Sequence, residues 1–316
     1  MSTTLTGADP IDLSGTNNSI ATGPPDSITL TAVTPSGRQH VIRGAAVMLF
    51  VLTVSALIHL FVVSRIEHTA SQQRLHDRFR GALATGTAPI GPLDGDGRPV
   101  APGTPVAYLE IPAIHVKETV VEGSTSSNLY SGPGHRRDTP LPGQLGTSVL
   151  FGRRTLFAGP FAGLSRLKPG NEFTVTTGQG VFRYRVIGVR REGDPLPEAR
   201  RAGTSRLQLA TAGGSVFAPH GVLWVDADLV GDAVGGPSRL LTPATLPGEE
   251  QAGASDSRTL WALVLWLQLL LVAIIAALWS WRRWGRAETW IVFVPVLLLV
   301  SNLVWDEFFR LLPNLV

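Results

Sequence analysis

The chain has 316 residues, 27 Lys and Arg against 24 Asp and Glu for a formal net charge of +3, and no cysteine. The missing cysteine excludes disulfides and all thiolate chemistry, and the mild, dispersed positive charge argues against nucleic acid, which demands clustered Lys and Arg. Length alone suggests two domains, but three apolar stretches are long enough to cross a bilayer, leaving one globular region of ordinary size.

Residues 1–43 are rich in Ser, Thr, Gly, Pro and Asp, without apolar periodicity, and are expected to be a disordered tail. Residues 44–63 (GAAVMLFVLTVSALIHLFVV) form the first predicted span. It begins too far into the chain for a cleaved leader, and Ser64-Arg65-Ile66-Glu67 is a poor cleavage site, so it reads as a retained anchor. Within 64–104, Leu75, Phe79 and Leu83 recur at i, i+4 and i+8. That spacing predicts a short helix, either a stalk or a strap packed on the globular domain, followed by a Gly/Pro linker.

Residues 105–230 carry short β-like runs at 106–111, 116–121, 148–151, 173–176, 182–189, 207–210 and 222–227, separated by Gly/Pro turns. Many short strands with no helical pattern between them predict an all-β barrel or sandwich. A second linker, 231–258, leads to predicted spans at 260–281 and 289–310. Seven of the eight tryptophans lie between Trp261 and Trp305, many near the ends of those spans, where indole prefers the headgroup region. Arg38 and Arg43 precede the first span, and Arg282, Arg283 and Arg286 lie between the last two. The positive-inside rule puts both sets, and the N-terminus, in the cytoplasm and the β-domain outside. Asp306 and Arg310 are i, i+4 and can pair on one helix face, as an anchor at the outer interface.

An ordered series of motifs in the β-region resembles the sortase family. Leu109-Glu110-Ile111-Pro112-Ala113-Ile114 is similar to the opening L-x-I-P-x-I strand. Val120-Val121-Glu122-Gly123, Gly132-Pro133-Gly134-His135 and Thr139-Pro140-Leu141-Pro142-Gly143-Gln144 follow in family order, and then Leu164-x-x-Leu167-Lys168-Pro169-Gly170. The resemblance covers about 120 residues and implies an all-β, sortase-like closed β-barrel, flanked here by one N-terminal and two C-terminal transmembrane helices. It also implies a catalytic cysteine, histidine and arginine. The histidine motif G-H-R-T here reads Gly152-Arg153-Arg154-Thr155, and the cysteine position is Ala212. The arginine slot falls on Val222 or Gly221. Arginine does not shuttle protons near neutral pH, and alanine offers no nucleophile.

These substitutions lead to three readings. In the first, a non-catalytic sortase-like protein binds a peptide, a surface protein or an active sortase at the membrane. In the second, the fold catalyses with another nucleophile, Ser215 or Thr211, beside His135 or His220. In the third, the three spans are a membrane scaffold and the β-domain a docking knob. Arg153 and Arg154, with His135 and His220, are candidates to line a binding groove; a guanidinium pair suits a carboxylate or phosphate. The simpler reading leaves both arginines solvated at a groove rim and gives His135 a structural role in its turn. No cofactor, metal or nucleic-acid partner is expected.

Overall fold

A computed structural model of the chain describes residues 37–214, 219–256, 260–283 and 286–316. It divides into two compact units, Met1–Ala46 and Val47–Val316, and all contacts below lie within the second. Ser215 and most of the expected N-terminal tail fall outside the described residues.

Eight strands close a barrel in the order β1-β2-β3-β4-β7-β8-β6-β5. They are β1 (Pro105–Ile111), β2 (Val116–Glu122), β3 (Gly134–His135), β4 (Gly146–Phe151), β5 (Glu172–Thr177), β6 (Gly180–Arg191), β7 (Ser205–Gly214) and β8 (Pro219–Val230). Every expected run becomes a strand, extended by one to four residues at its ends. The strand that was not expected is β3, which has only two residues. The pairs β2–β3 and β4–β7 are parallel and the rest antiparallel. Alternating residues fill the interior: Val106, Leu109, Ile111, Phe173, Val175, Tyr184, Val186, Leu207, Leu209 and Val225 are all buried. In the turn before β4, Gly143 has φ +92 and lies against the Phe182 ring, 2.3 Å from where a Cβ would be. Only glycine fits there, and its amide donates to the Tyr184 hydroxyl at 2.6 Å.

The first predicted span and the predicted strap are one unbroken helix. It comprises α1 (Gly37–Ile58), a single π-helical stretch at His59–Val63 and α2 (Ser64–Thr85). Gly86, left-handed at φ 67, ends it by donating to the carbonyls of Ala82 and Leu83. Among its residues whose burial is described, the buried positions are Ser55, His59, Ser64, His68, Leu75 and Phe79. An α-helix spaces such a stripe at three or four residues, yet His59 to Ser64 is a step of five. The π stretch absorbs the extra residue, so one stripe continues along the whole helix.

The lower part of this helix belongs to the barrel. Leu75 and Phe79 are buried, and His68 Nε2 lies 3.0 Å from Glu118 Oε1. Gln72 supplies the ladder partner that the two-residue β3 cannot give to Thr119 of β2. Its Oε1 accepts from the Thr119 amide at 2.6 Å, and its Nε2 donates to the Thr119 carbonyl at 3.1 Å and the Ser131 carbonyl at 2.7 Å.

Two further helices follow, α3 (Leu260–Arg283) and α4 (Arg286–Arg310), packed through Leu270, Val300 and Val304. With the first helix they make three that are long and apolar enough to cross a membrane. Polar side chains join α4 to the N-terminal helix. Ser55 and Ser301 hydroxyls are 3.0 Å apart, and His59 Nδ1 is 2.8 Å from Asn302 Oδ1. The expected Asp306–Arg310 pair forms at 2.9 Å. The expected linker 231–258 is partly built onto the barrel: Glu250 is buried and bonded by the Arg137 guanidinium, and Ser124 Oγ donates to its carbonyl at 2.7 Å.

Candidate functional site

Strand direction brings the three positions singled out by the resemblance to one rim of the barrel. Because β4 and β7 are parallel, their C-terminal ends share that rim, Phe151 beside Ala210. Because β8 returns antiparallel to β7, its start lies there too, with Val222 directly opposite Ala212. Past β4, the Gly152 amide donates to the Ala210 carbonyl at 3.0 Å and extends the ladder by one residue. A Cβ on Gly152 would come within 2.4 Å of the Phe161 ring, so glycine is required for the chain to turn toward Arg153.

Arg153 is not at a solvated rim, contrary to the simpler expectation: it has 0% exposure and is among the largest fully buried side chains. Its Nη2 donates to the carbonyl and hydroxyl of Ser126 at 3.0 and 2.6 Å, and its Nη1 lies 3.4 Å from the Val316 main-chain oxygen. The guanidinium sits 4.9 Å from the Phe157 ring centre, and among the described residues no Asp or Glu side chain pairs with it. Burial first, and then the charge of Arg310, lower its pKa to about 9, so it is still protonated at neutral pH. Arg154 is half-buried and donates through Nη1 to the Ala212 carbonyl at 2.8 Å.

The burial comes from the chain's own distal segment. After α4, residues 313–316 lie across the rim. The Leu315 carbonyl accepts from the amides of Arg154 at 3.1 Å and Ala212 at 3.3 Å. Its side chain, 2% exposed, packs with Leu129, Val149, Phe151, Ala210 and Ala212. Asn314 has 0% exposure: Nδ2 donates to the carbonyls of Ser124 and Gln251, each at 2.8 Å, and Oδ1 accepts from the Gly253 amide at 2.9 Å. Its own amide donates to the Ala254 carbonyl at 2.9 Å. Ser126, Asn314 and Leu315 were not anticipated; the available signal was a polar interruption, Pro313-Asn314, in the aliphatic run from Leu311 to Val316.

The two histidines are not brought to this rim as a catalytic pair. His135 is 2% exposed and both its ring nitrogens are engaged. Nδ1 is 2.9 Å from Glu122 Oε2, and Nε2 is 3.0 Å from the Pro140 carbonyl. Two acceptors hold it as imidazolium. Burial opposes that charge, but the Glu122 carboxylate and the hydrogen bonds from Glu122 and Pro140 outweigh it, and its pKa is raised. His220 lies near the start of β8, and its proposed partner Ser215 is outside the described residues. Thr211 is 1% exposed. Tyr130, near Arg153, donates to Glu67 and has the Arg310 guanidinium 4.6 Å from its ring centre. Burial and then the Glu67 hydrogen bond hold its hydroxyl protonated, with a raised pKa.

Comparison with known proteins agrees with the motif series. The family model of the sortase domain matches residues 109–216. Sortase D of Bacillus subtilis is 31% identical over 85 residues, which are 27% of this chain and 41% of that protein. The chain thus spans about two fifths of the length of that relative. Among solved structures, a sortase D5 transpeptidase of Clostridium perfringens aligns over 52% of this chain and 98% of its own, at 20% identity and a TM-score of 0.40. Sortase C-1 of Actinomyces oris aligns over 49% and 98%, at 27% identity and a TM-score of 0.35. The closed barrel between the apolar helices is similar to the sortase domain, whose family model it matches over residues 109–216.

Proposed function

We propose that this protein is a membrane-held, non-catalytic binding or scaffolding component of cell-surface protein or envelope assembly, working through its sortase-fold domain. The observation that carries this reading is the chemistry at the rim where β4, β7 and β8 converge. Arg153, Ala212 and either Val222 or Gly221 occupy the positions that the resemblance assigns to histidine, cysteine and arginine. None of the three is a nucleophile, and none exchanges a proton near neutrality. The three apolar helices support attachment to a membrane. Arg38, Arg43, Arg282, Arg283 and Arg286 support a cytoplasmic N-terminus and an outward-facing barrel. The partner classes that fit are a surface protein, a peptide or an active sortase.

The test is a peptide assay on the purified full-length protein. No cleavage or transpeptidation of a sorting-type peptide is expected, whereas turnover abolished by a substitution at Thr211 would falsify the reading. That residue motivates the alternative, a sortase-fold transpeptidase or hydrolase with a non-cysteine nucleophile. The Thr211 hydroxyl is buried with no hydrogen-bond partner among the described residues. Against it stands His135, whose two nitrogens are committed to Glu122 and Pro140 and leave no lone pair to accept a proton.

A further inference from the structure

The contacts of residues 313–316 have the form of a bound peptide. Main-chain amides of Arg154 and Ala212 converge on one carbonyl, that of Leu315. An apolar recess takes the leucine side chain, and a separate polar recess takes Asn314. That second recess is made of backbone alone: the carbonyls of Ser124 and Gln251 and the amide of Gly253 meet every polar atom of the Asn314 side chain. Aspartate would face two carbonyls with no proton to give, and alanine would strand the Ser124 carbonyl and the Gly253 amide, leaving the Gln251 carbonyl only its bond from the Ala254 amide, so the recess selects a carboxamide. The Arg153 guanidinium, buried without an Asp or Glu partner among the described residues, adds a donor toward the Val316 oxygen.

We propose that this rim is a peptide-recognition site whose resident ligand is the chain's own Asn314–Val316 segment. Asn314 is the latch, and Leu315 is the plug over Ala212. The class of ligand it takes is a tight turn with asparagine followed by an aliphatic residue, the Val316 amide donating back to the Pro313 carbonyl at 3.1 Å. Only Leu311, Leu312 and Pro313 separate the latch from the end of α4 at Arg310, so displacement of that helix from the barrel draws the ligand out. The inference goes beyond a non-catalytic role and does not depend on it, because it concerns access to the cleft.

The absence of native cysteine makes the test direct. A single thiol is placed by Ala212→Cys in the full-length protein in detergent, and its labelling by a bulky maleimide is timed. Slow labelling is expected, at least tenfold faster when Asn314→Ala is added. A segment tethered in cis competes at an effective concentration on the order of millimolar. A free Leu-Pro-Asn-Leu-Val peptide is therefore supplied to the double variant at that level. It should slow labelling again, and the peptide with alanine for asparagine should not. Equal rates with and without Asn314→Ala, in proteins with unchanged melting, would overturn the proposal, as would failure of the free peptide to protect. If cysteine is too large beside Leu315, hydrogen exchange of the Arg154 and Ala212 amides in the Asn314→Ala protein reads the same opening. Continued protection of both amides there counts against the proposal. Peptide cleavage is scored separately, so failure here and failure of the non-catalytic reading are told apart.

Discussion

The amide of Ala212 donates to the carbonyl of Leu315 at 3.3 Å, across 103 residues of chain. The residue at the position that the resemblance assigns to the nucleophile is therefore covered by main chain as well as lacking a reactive side chain. Restoring a thiol alone answers only one of these obstacles. Ala212→Cys is expected to give no measurable peptide cleavage, because Arg153 does not accept the thiol proton. Adding Arg153→His and Asn314→Ala supplies a base and uncovers the rim. The triple variant should exceed the single by about 10²-fold or more, the usual contribution of a positioned base, measured as release from a fluorogenic peptide. Equal activity in both would show that Arg153 is no barrier.

The His135–Glu122 pair gives a pH signature. Its folded pKa lies above the ordinary value of about 6.5. The stabilisation it adds is therefore complete below that ordinary value, and is lost as pH rises through the higher folded one. The melting-temperature gap between the unsubstituted protein and His135→Gln should be widest near pH 5.5 and narrow toward alkaline pH. A gap that stays constant, or widens upward, would mean that His135 is held neutral.

Arg153 sets two opposing terms against each other. Its buried cation is disfavoured by several kcal/mol, as roughly 1.4 kcal/mol per unit of pKa implies. Its removal strands the carbonyls of Ser126 and Val316 at about 1–3 kcal/mol each. For Arg153→Met these nearly offset, and thermal stability should change by no more than about 2 kcal/mol. Arg153→Ala adds a cavity beside Phe157 and should be lower by a further 2–3 kcal/mol or so. Melting of both variants in one detergent checks the order; Met falling as far as Ala would mean that the hydrogen bonds dominate.

Within the apolar helices, His59 and Asn302 form one polar contact at 2.8 Å. A double-mutant cycle with His59→Leu and Asn302→Leu is expected to give a coupling of about 0.6 kcal/mol and no more than about 1.7 kcal/mol, the mean and upper end for hydrogen bonds between membrane helices. No coupling would mean that each finds another partner when separated.

What the residues revealed in advance follows from the range of the interactions. Strands β1, β2 and β4–β8 show in apolar runs bounded by Gly and Pro, because one face of each is in the core. Strand β3 is too short to carry a pattern; its place is set by β2 and β4 and by Gln72, 47 residues before its partner Thr119. The convergence of Arg153, Ala212 and Val222 came through the family motifs. The burial of Arg153 could not be read locally. Gly152-Arg153-Arg154-Thr155 looks like an exposed turn, and the groups that cover it, Leu315 and Val316, lie about 160 residues downstream. The π-helical step was marked only by the polar series Ser55, His59, Ser64 and His68 with its spacing of five in the middle, a signal that a search for an apolar stripe does not register.

That step of five residues fixes the heading of the barrel about the long axis of its anchor. Each residue of helix turns the chain by about 100°. With a regular α-helical step in its place, the stripe holding Ser55 and His59 against α4 would emerge well away from His68, Leu75 and Phe79. The barrel, carried by those residues, would swing around the anchor, and the short reach from Arg310 to Asn314 could not follow. One inserted residue thus acts as an angular key between anchor and barrel, and deleting it should unseat the distal segment without touching either end of the contact.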